Sequence, residues 1–468
     1  MASAADAVAG PAVGGVAAAA LAEGTEPRSR VVPSVARLFG TFFAIGLTSF
    51  GMAILQNIRS VPVRRGWIER EEIDEGLGLV QLYPGAIMVD LVAYIGYRIH
   101  RVAGAVVATA GFVTPALVLM LGLSWLYTTY GSAPGVAGLV VGLDAIVVGV
   151  VASVAIDFAL QHARGMLPAL LALAGFAVAV SGAGLLWAVL GGLAIGAVAI
   201  RPGRGGAVAP GRASAPVRAE EALSWRRLAL ALVPGVIVVA AAAVATVSSG
   251  LLSTLFLDMT RIGTVAFGNG STILPVLQQD VVDTRHWLGM PEFGVAIGFG
   301  QVTPGPFLIS AAFVGYRVAG LWGGVLAAIA IFAPSVAMTT VAAEIYPWLR
   351  RWAWVKGAVA GVMAVFVGLL ASVAISLGRP VLGLPAALVL LAAAFVAVRV
   401  ARWNLLIVFG AGLAAWAAYL ALGILLYDRG NLYIGAGYQQ FHLLILLILY
   451  VKAPGPVLAP RPRPLRPL

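Results

Sequence analysis

Long apolar runs separated by short polar stretches dominate the pattern along this chain. Each run is long enough to cross about 30 Å of hydrocarbon as a helix rising about 1.5 Å per residue. A segment exposed to lipid must satisfy its own backbone hydrogen bonds, which favours helices, and the short alternating segments of a membrane β-barrel are not seen. The pattern predicts an all-α, polytopic transmembrane bundle of about ten to twelve spans. The clearest runs are 105–127, 136–156, 182–200, 228–247, 321–343, 357–377, 381–398 and 404–426.

The composition supports a lipid environment, because 61% of the residues are hydrophobic and 10% are charged, whereas soluble domains carry about 25% charged residues. The net charge of +11 comes from 30 basic and 19 acidic residues. Many basic residues lie in short loops, as the positive-inside rule requires, so we expect a bilayer and no nucleic acid as partner. The sequence has no cysteine and four scattered histidines, which argues against a metal site, a cofactor or an enzyme.

Polar segments rich in proline, glycine and arginine divide the chain. Arg28, Arg30 and Arg37 precede the first apolar run and favour a cytoplasmic N-terminus. A homodimer is left open. The predicted segments are a disordered tail at 1–30, an N-terminal transporter repeat at 31–200, a basic cytoplasmic linker at 201–224, a connecting span with a C-terminal repeat at 225–452, and a disordered tail at 453–468.

The two halves carry the same motifs in the same order. Constant spacing of this kind indicates an internal duplication, which is typical of transporters whose halves rock around a central site. One extra apolar run, at 226–248, separates the copies and predicts that they are inverted relative to each other. The matched pairs keep an offset of 217 to 220 residues: Phe50 with Phe267, Trp67 with Trp287, Glu72 with Glu292, Gln81 with Gln301, Pro84 with Pro304, Gly85 with Gly305, Tyr97 with Tyr316, Arg98 with Arg317 and Pro115 with Pro334.

These motifs resemble those of the chromate ion transporter family, and specifically its long, two-domain members. The resemblance rests on a Phe-Gly segment, a Trp, a Gln-x-x-Pro-Gly motif and a closing Gly-Tyr-Arg, each present twice, and it covers residues 34–200 and 250–425. It implies export of chromate from the cytoplasm across the inner membrane of a bacterial cell, with import of sulfate or another anion coupled to H⁺ or Na⁺ as the alternative. Three motifs depart from the family pattern, which bears on the substrate more than on the fold: 50–53 (FGMA), 267–270 (FGNG) and 84–86 (PGA).

A Pro-Gly pair interrupts one apolar stretch in each half, at 84–85 and at 304–305. Proline suits the first turn of a helix and glycine lets a ligand approach the backbone, so each pair predicts a helix–break–helix element at membrane depth. The new helix N-terminus offers N–H groups and partial positive charge to an oxyanion. We expect both breaks to face one central pocket; the alternative is packing breaks without a ligand. The predicted contacts are Gln81, Pro84, Gly85, Gln301, Thr303, Pro304 and Gly305.

Two further groups are candidates for substrate contact. The Phe-Gly segments form a second pair of breaks with neutral donors nearby, although close helix packing explains them equally well. An arginine that follows each motif helix offers a planar fork of donors to a tetrahedral anion, although snorkelling to the headgroups is the alternative. These candidates are Phe50, Gly51, Gly268, Asn269, Gly270, Arg98 and Arg317.

Acidic residues within the apolar runs supply the last candidates. Asp90 and Asp144 are candidate coupling groups, because a carboxylate in a membrane span is costly and marks function. Glu72 and its counterpart Glu292 predict either a helix cap or an ion pair between the repeats. A dianion leaving a cell with a negative interior gains about 4.6 kcal/mol per 100 mV, so export needs no second ion, whereas uptake does.

Overall fold

The computed structural model describes residues 31–428 except positions 51, 132, 183, 201–223, 268–269, 271 and 350–352. All regular elements in these residues are helical, which confirms the predicted all-α bundle. The described residues also include a π-helix at Gln279–Thr284 and a 3₁₀ turn at Phe307–Ile309. The α-helices are α1 (Val35–Thr48), α2 (Met52–Arg64), α3 (Arg70–Leu79), α4 (Ile87–Tyr130), α5 (Pro134–His162), α6 (Met166–Ser181), α7 (Leu185–Ala199), α8 (Trp225–Val247), α9 (Leu251–Thr264), α10 (Ile273–Gln278), α11 (Met290–Val302), α12 (Ser310–Leu349), α13 (Ala353–Gly378), α14 (Pro385–Arg399) and α15 (Leu405–Asp428).

Six of the described helices, α4, α5, α8, α12, α13 and α15, contain stretches long and apolar enough to cross a bilayer. Four shorter helices, α1, α6, α7 and α14, are also apolar. The chain is therefore a multi-pass membrane protein. All eight predicted runs fall on helices, although the helix in the run 182–200 begins only at Leu185 and the helix in the run 381–398 begins only at Pro385. The total number of spans stays a prediction, as do the segments 1–30 and 453–468 and most of the linker, which lie outside the described residues.

The two longest helices, α4 and α12, are each bent into a hairpin. The backbone leaves helical geometry at 100–101 in α4 and, with nearly the same dihedral angles, at 319–320 in α12. Glycine lets the arms touch, since a Cβ on Gly96 would lie 2.2 Å from the carbonyl oxygen of Gly104, and α12 repeats this contact between two glycines of its own. The first arm, 87–99, is about 20 Å long and is shorter than the hydrocarbon core. The inverted orientation of the halves stays a prediction.

The two halves interlock. α4 packs against α12, α5 packs against α14 and α15 of the second half, and α13 packs against α6 and α7 of the first. Ion pairs cross the same boundary: Arg101 lies 2.9 Å from Glu344, and Arg399 lies 2.9 Å from Asp157. Tyr97 also donates a hydrogen bond of 2.7 Å to Glu344. Movement of one half relative to the other must therefore rearrange these helix contacts.

Candidate functional site

The helix is interrupted at both Pro-Gly pairs, as predicted. Residues 80–86 separate α3 from α4, and residues 303–309 separate α11 from α12. The position of the prolines differs from the expectation, because Pro84 and Pro304 lie in the irregular segments and not in the first turn of the following helix. Proline lacks an N–H and disfavours helical geometry in the residue before it. At the second break Thr303, directly before Pro304, is extended and α11 ends there, whereas α3 already ends at Leu79, well before Pro84.

The first break packs across the boundary between the halves. The hydroxyls of Tyr83 and Thr339 are 2.8 Å apart, which joins the break to the long arm of α12. Pro84 lines a cavity of about 510 Å³ that also contacts Phe267 and apolar side chains of α12 and α13. This lining is almost entirely apolar and offers few groups that could replace the water around an anion. The cavity therefore gives this side of the first break an apolar environment.

Asp90, in the first turn of α4, turns its carboxyl group back onto this break. Its surface is 0% exposed, and neither carboxyl oxygen has a hydrogen-bond partner among the described residues. A Cβ on Gly85 would lie 2.1 Å from one of these oxygens, so the carboxyl packs directly on the glycine backbone. The place beside the helix N-terminus where we expected a substrate oxyanion is thus filled by the protein's own carboxyl group.

A negative charge on Asp90 would have little compensation in this packing. The hydroxyls of Ser335 and Thr339 on α12 are its polar neighbours. A helix N-terminus stabilises a carboxylate by about 0.3–1 kcal/mol, whereas removing an unpaired carboxylate from water costs several kcal/mol. The burial cost is the larger quantity. Sequence reasoning missed Tyr83, Ser335 and Thr339; only the position of Tyr83 next to the first Pro-Gly pair could have singled it out.

The second break has different surroundings. Gly305 has a φ of +105°, a backbone conformation that favours glycine. A Cβ at this position would lie 2.9 Å from the Cβ of Ala116, so the second break is seated on the long arm of α4. Where the first half has Asp90, the second has Ser310, which donates to a carbonyl of the preceding 3₁₀ turn at 3.0 Å. The first turn of α12 therefore carries no acidic side chain.

Each break is seated on the long helix of the opposite half. The 510 Å³ cavity is lined by Pro84 but by no residue of the second break, so a single pocket that joins both breaks stays a prediction. α4 and α12 also pack directly against each other. The two breaks are thus linked through these helices.

The polar side chains predicted beside the breaks differ in burial and in hydrogen bonding. Gln81 is exposed just beyond α3, and Gln301 is half-buried in the last turn of α11. Thr303 is buried, and its hydroxyl donates to the carbonyl of Phe299 at 2.6 Å. The hydroxyl hydrogen of Thr303 is therefore engaged within its own helix, which leaves Gln301 as the stronger candidate for donation to a ligand.

The Phe-Gly segments are described in part. Phe50 is half-buried at the end of α1. Gly270 has a φ of +93°, and a Cβ there would lie 2.8 Å from a side-chain carbon of Leu308, so this segment contacts the second Pro-Gly break. The structure thus brings Gly270 and Gly305 to one region of the second half. The candidates Gly51, Gly268 and Asn269 lie outside the described residues.

The two motif arginines are paired with acidic residues of their own halves. Arg98 forms an ion pair with Glu72, and Arg317 forms one with Glu292 at 2.7 Å. Both glutamates also accept a hydrogen bond from the backbone N–H at the start of α3 or α11. The helix-cap alternative for Glu72 and Glu292 is therefore confirmed. These ion pairs account for the charge of both arginines without a bound anion.

Asp144 lies apart from both breaks, on α5. It is 8% exposed, and its Oδ1 has no hydrogen-bond partner among the described residues. A Cβ on Gly294 would lie 2.3 Å from this oxygen, so α11 packs closely on it. Asp144 also lines a second cavity, of about 250 Å³, together with Tyr127, Pro291 and Pro380. Its surroundings therefore differ from those of Asp90 in having access to a cavity.

Comparison with known proteins agrees with these features. A family model described as "Chromate transporter" matches residues 36–197 and again residues 253–416. A chromate transport protein of Cupriavidus metallidurans is 28% identical over 395 residues, which are 81% of this chain and 92% of that protein. One of Pseudomonas aeruginosa is 26% identical over 422 residues, which are 84% of this chain and 96% of that protein. An uncharacterized transporter of Methanocaldococcus jannaschii is 26% identical over 345 residues, which are 73% of this chain and 84% of that protein.

No solved structure matches the chain significantly. The family model nevertheless covers most of the sequence, and it does so in two copies that begin at corresponding positions of the two halves. Both Pro-Gly breaks lie within these copies, and so do the apolar helices, wholly or in part, except α8, which lies between the two copies. The chain therefore belongs to the chromate transporter family of membrane transporters, as one of its long members with two family regions.

Proposed function

We propose that the protein exports chromate, or a related tetrahedral oxyanion such as sulfate, across the bacterial inner membrane. The observation that carries this proposal is the seating of each Pro-Gly break on the long helix of the opposite half, because a site built there changes whenever the halves move. Chromate is proposed as the substrate because the relatives from Cupriavidus and Pseudomonas are named chromate transport proteins. Arg37 and the arginines before it support a cytoplasmic N-terminus.

The second break is the better place for the anion. The first turn of α12 carries no acidic residue, and Gly305 exposes backbone where a side chain would clash with α4. Backbone N–H groups of the second break and the amide of Gln301 then replace part of the water shell of the anion. Neutral donors of this kind hold a dianion without trapping it by strong charge pairing. Arg98 and Arg317 stabilise the fold in this proposal.

The test is oxyanion exchange in proteoliposomes that contain the purified protein. We expect exchange of labelled chromate by the wild type and a loss of roughly 10- to 100-fold in apparent affinity for Gln301→Ala, since a hydrogen bond to a charged group contributes about 1.5–3 kcal/mol. Gln81→Ala should have a smaller effect, because Asp90 fills the first break. Gln161→Ala, an exposed site at the end of α5, is the matched control.

The outcomes separate the parts of the proposal. If Gln81→Ala and Gln301→Ala both keep full exchange, the site is assigned to the wrong residues. If the wild type exchanges neither chromate nor sulfate, the proposed function is refuted. Sulfate import coupled to H⁺ or Na⁺ is the second candidate, and vesicles of defined polarity distinguish it from export by the direction of net flux under an imposed membrane potential.

A further inference from the structure

We propose that Asp90 binds the proton that couples oxyanion transport to the proton gradient, and that proton release accompanies separation of the first break from α12. This inference rests on the proposed transport function and assigns the energy source of that same transporter. It follows from the packing of one carboxyl group at the boundary between the halves.

The packing around Asp90 leaves room for a proton and for little else. One face of the carboxyl group lies on the backbone of Gly85, where even a methyl group would clash. The other neighbours are the hydroxyls of Ser335 and Thr339, and no charged side chain among the described residues offsets the carboxyl. Tyr83 is the titratable group that faces it, and its hydroxyl is engaged with Thr339. A metal cation needs several oxygen ligands around it, and the described residues contain no cluster of three or more His, Asp or Glu side chains that could hold one. A neutral, protonated carboxyl group satisfies these surroundings.

The position of Asp90 makes its proton part of the transport cycle. The contact that buries it joins the first break, in one half, to α12, in the other. While the contact is closed, a carboxylate would be buried with two hydroxyl groups and no cation beside it, so the closed state holds the proton. When the halves separate, water reaches the carboxyl group and the proton can leave as H⁺. By thermodynamic linkage, a proton gradient then biases the movement between these two states.

The two breaks therefore have different roles, with the proton bound at the first break and the anion at the second. The first break holds a carboxyl group that packs on Gly85, whereas the corresponding position of the second break is Ser310, whose hydroxyl is engaged with its own turn. One acidic group at the first break implies one proton for each transport cycle. The absence of an acidic residue from the first turn of α12 leaves the second break suited to the anion.

The experiment compares the wild type with Asp90→Asn in proteoliposomes with the membrane potential clamped at zero. Both sides are kept alkaline enough for chromate to be the dianion, so that the substrate carries no proton itself. We expect an imposed pH gradient to drive net chromate accumulation by the wild type and none by Asp90→Asn. Exchange of labelled chromate without a gradient should persist in Asp90→Asn. Asp74→Asn, which changes an exposed acid paired with Arg59, is the control and should behave as the wild type.

A second readout and a second variant keep the test decisive. A pH-sensitive dye inside the vesicles should report proton movement when a chromate gradient is applied to the wild type, and no such movement for Asp90→Asn. Asp90→Ser, which copies the second half, should likewise exchange chromate without moving protons. If both neutral variants fold but lose exchange, Asp90 is structural and the proposal is overturned.

Two other results would also overturn it. One is accumulation by Asp90→Asn that equals the wild type under the pH gradient, and the other is accumulation by the wild type that follows a Na⁺ gradient and ignores the pH gradient. A wild type that exchanges no oxyanion at all would refute the proposed function and this inference with it. The result that supports this inference is an Asp90→Asn variant that still exchanges chromate but no longer accumulates it in response to the pH gradient.

Discussion

Replacing Gly305 with alanine should loosen the second break for two separable reasons. The φ of +105° places any other residue in a sparsely populated region of backbone space, at a cost of about 1–3 kcal/mol. The added Cβ would also lie 2.9 Å from the Cβ of Ala116, and overpacking a tight contact costs about 1–3 kcal/mol. Together the substitution should cost about 2–6 kcal/mol if the two effects add.

Two control variants separate these contributions. Gly66 also has a positive φ, of +68°, but a Cβ there would meet nothing within 4 Å, so Gly66→Ala reports backbone strain alone. Ala116→Gly removes the opposing methyl group and should itself cost about 1 kcal/mol as a helical glycine. In the double variant Gly305→Ala/Ala116→Gly, we expect recovery of the overpacking contribution, about 1–3 kcal/mol, while the strain at 305 remains.

Thermal unfolding of the four purified variants in detergent measures these differences in stability. Chromate exchange in proteoliposomes reports whether the contact between Gly305 and Ala116 matters for transport. The coupling between positions 305 and 116 is the decisive quantity. The reasoning would be refuted if the double variant lost as much stability as Gly305→Ala and Ala116→Gly lose together, or more. It would equally fail if Gly305→Ala were no less stable than Gly66→Ala.

Two further substitutions test other contacts. Tyr83→Phe removes the hydrogen bond to Thr339 across the two halves, so thermal unfolding should show a loss of about 0.5–1.5 kcal/mol; an unchanged melting temperature would show that this contact does not stabilise the boundary. Glu292→Gln breaks an ion pair with Arg317 in which both side chains are partly exposed, 29% and 27%, so it should cost less than about 1 kcal/mol and leave chromate exchange unchanged. Loss of chromate exchange in Glu292→Gln would instead indicate that Arg317 contacts the substrate.

The sequence predicted the features that depend on neighbours in the chain. Apolar runs marked the spans, because lipid exposure requires internally bonded helices, and the Pro-Gly pairs marked the breaks, because proline cannot continue a helix. The caps formed by Glu72 and Glu292 were one of two alternatives, since a carboxylate at a helix start is a local arrangement.

Features that depend on distant contacts were not predicted. Asp90 was identified as an intramembrane acid, but its burial against Ser335 requires two segments that lie far apart in the chain to meet. Spacing alone likewise does not show that α4 and α12 pack directly against each other. The pairing of Arg98 with Glu72 likewise needs the fold of α4 back over α3.

The interlocked helices have a consequence for biosynthesis. α5 rests against α14 and α15, which are translated more than two hundred residues later. When α5 enters the bilayer its final neighbours do not yet exist, so lipid or the insertion machinery must cover its contact face in the meantime. Contacts so distant along the chain slow folding and expose intermediates. The N-terminal half thus reaches its mature packing only after α14 and α15 have been inserted.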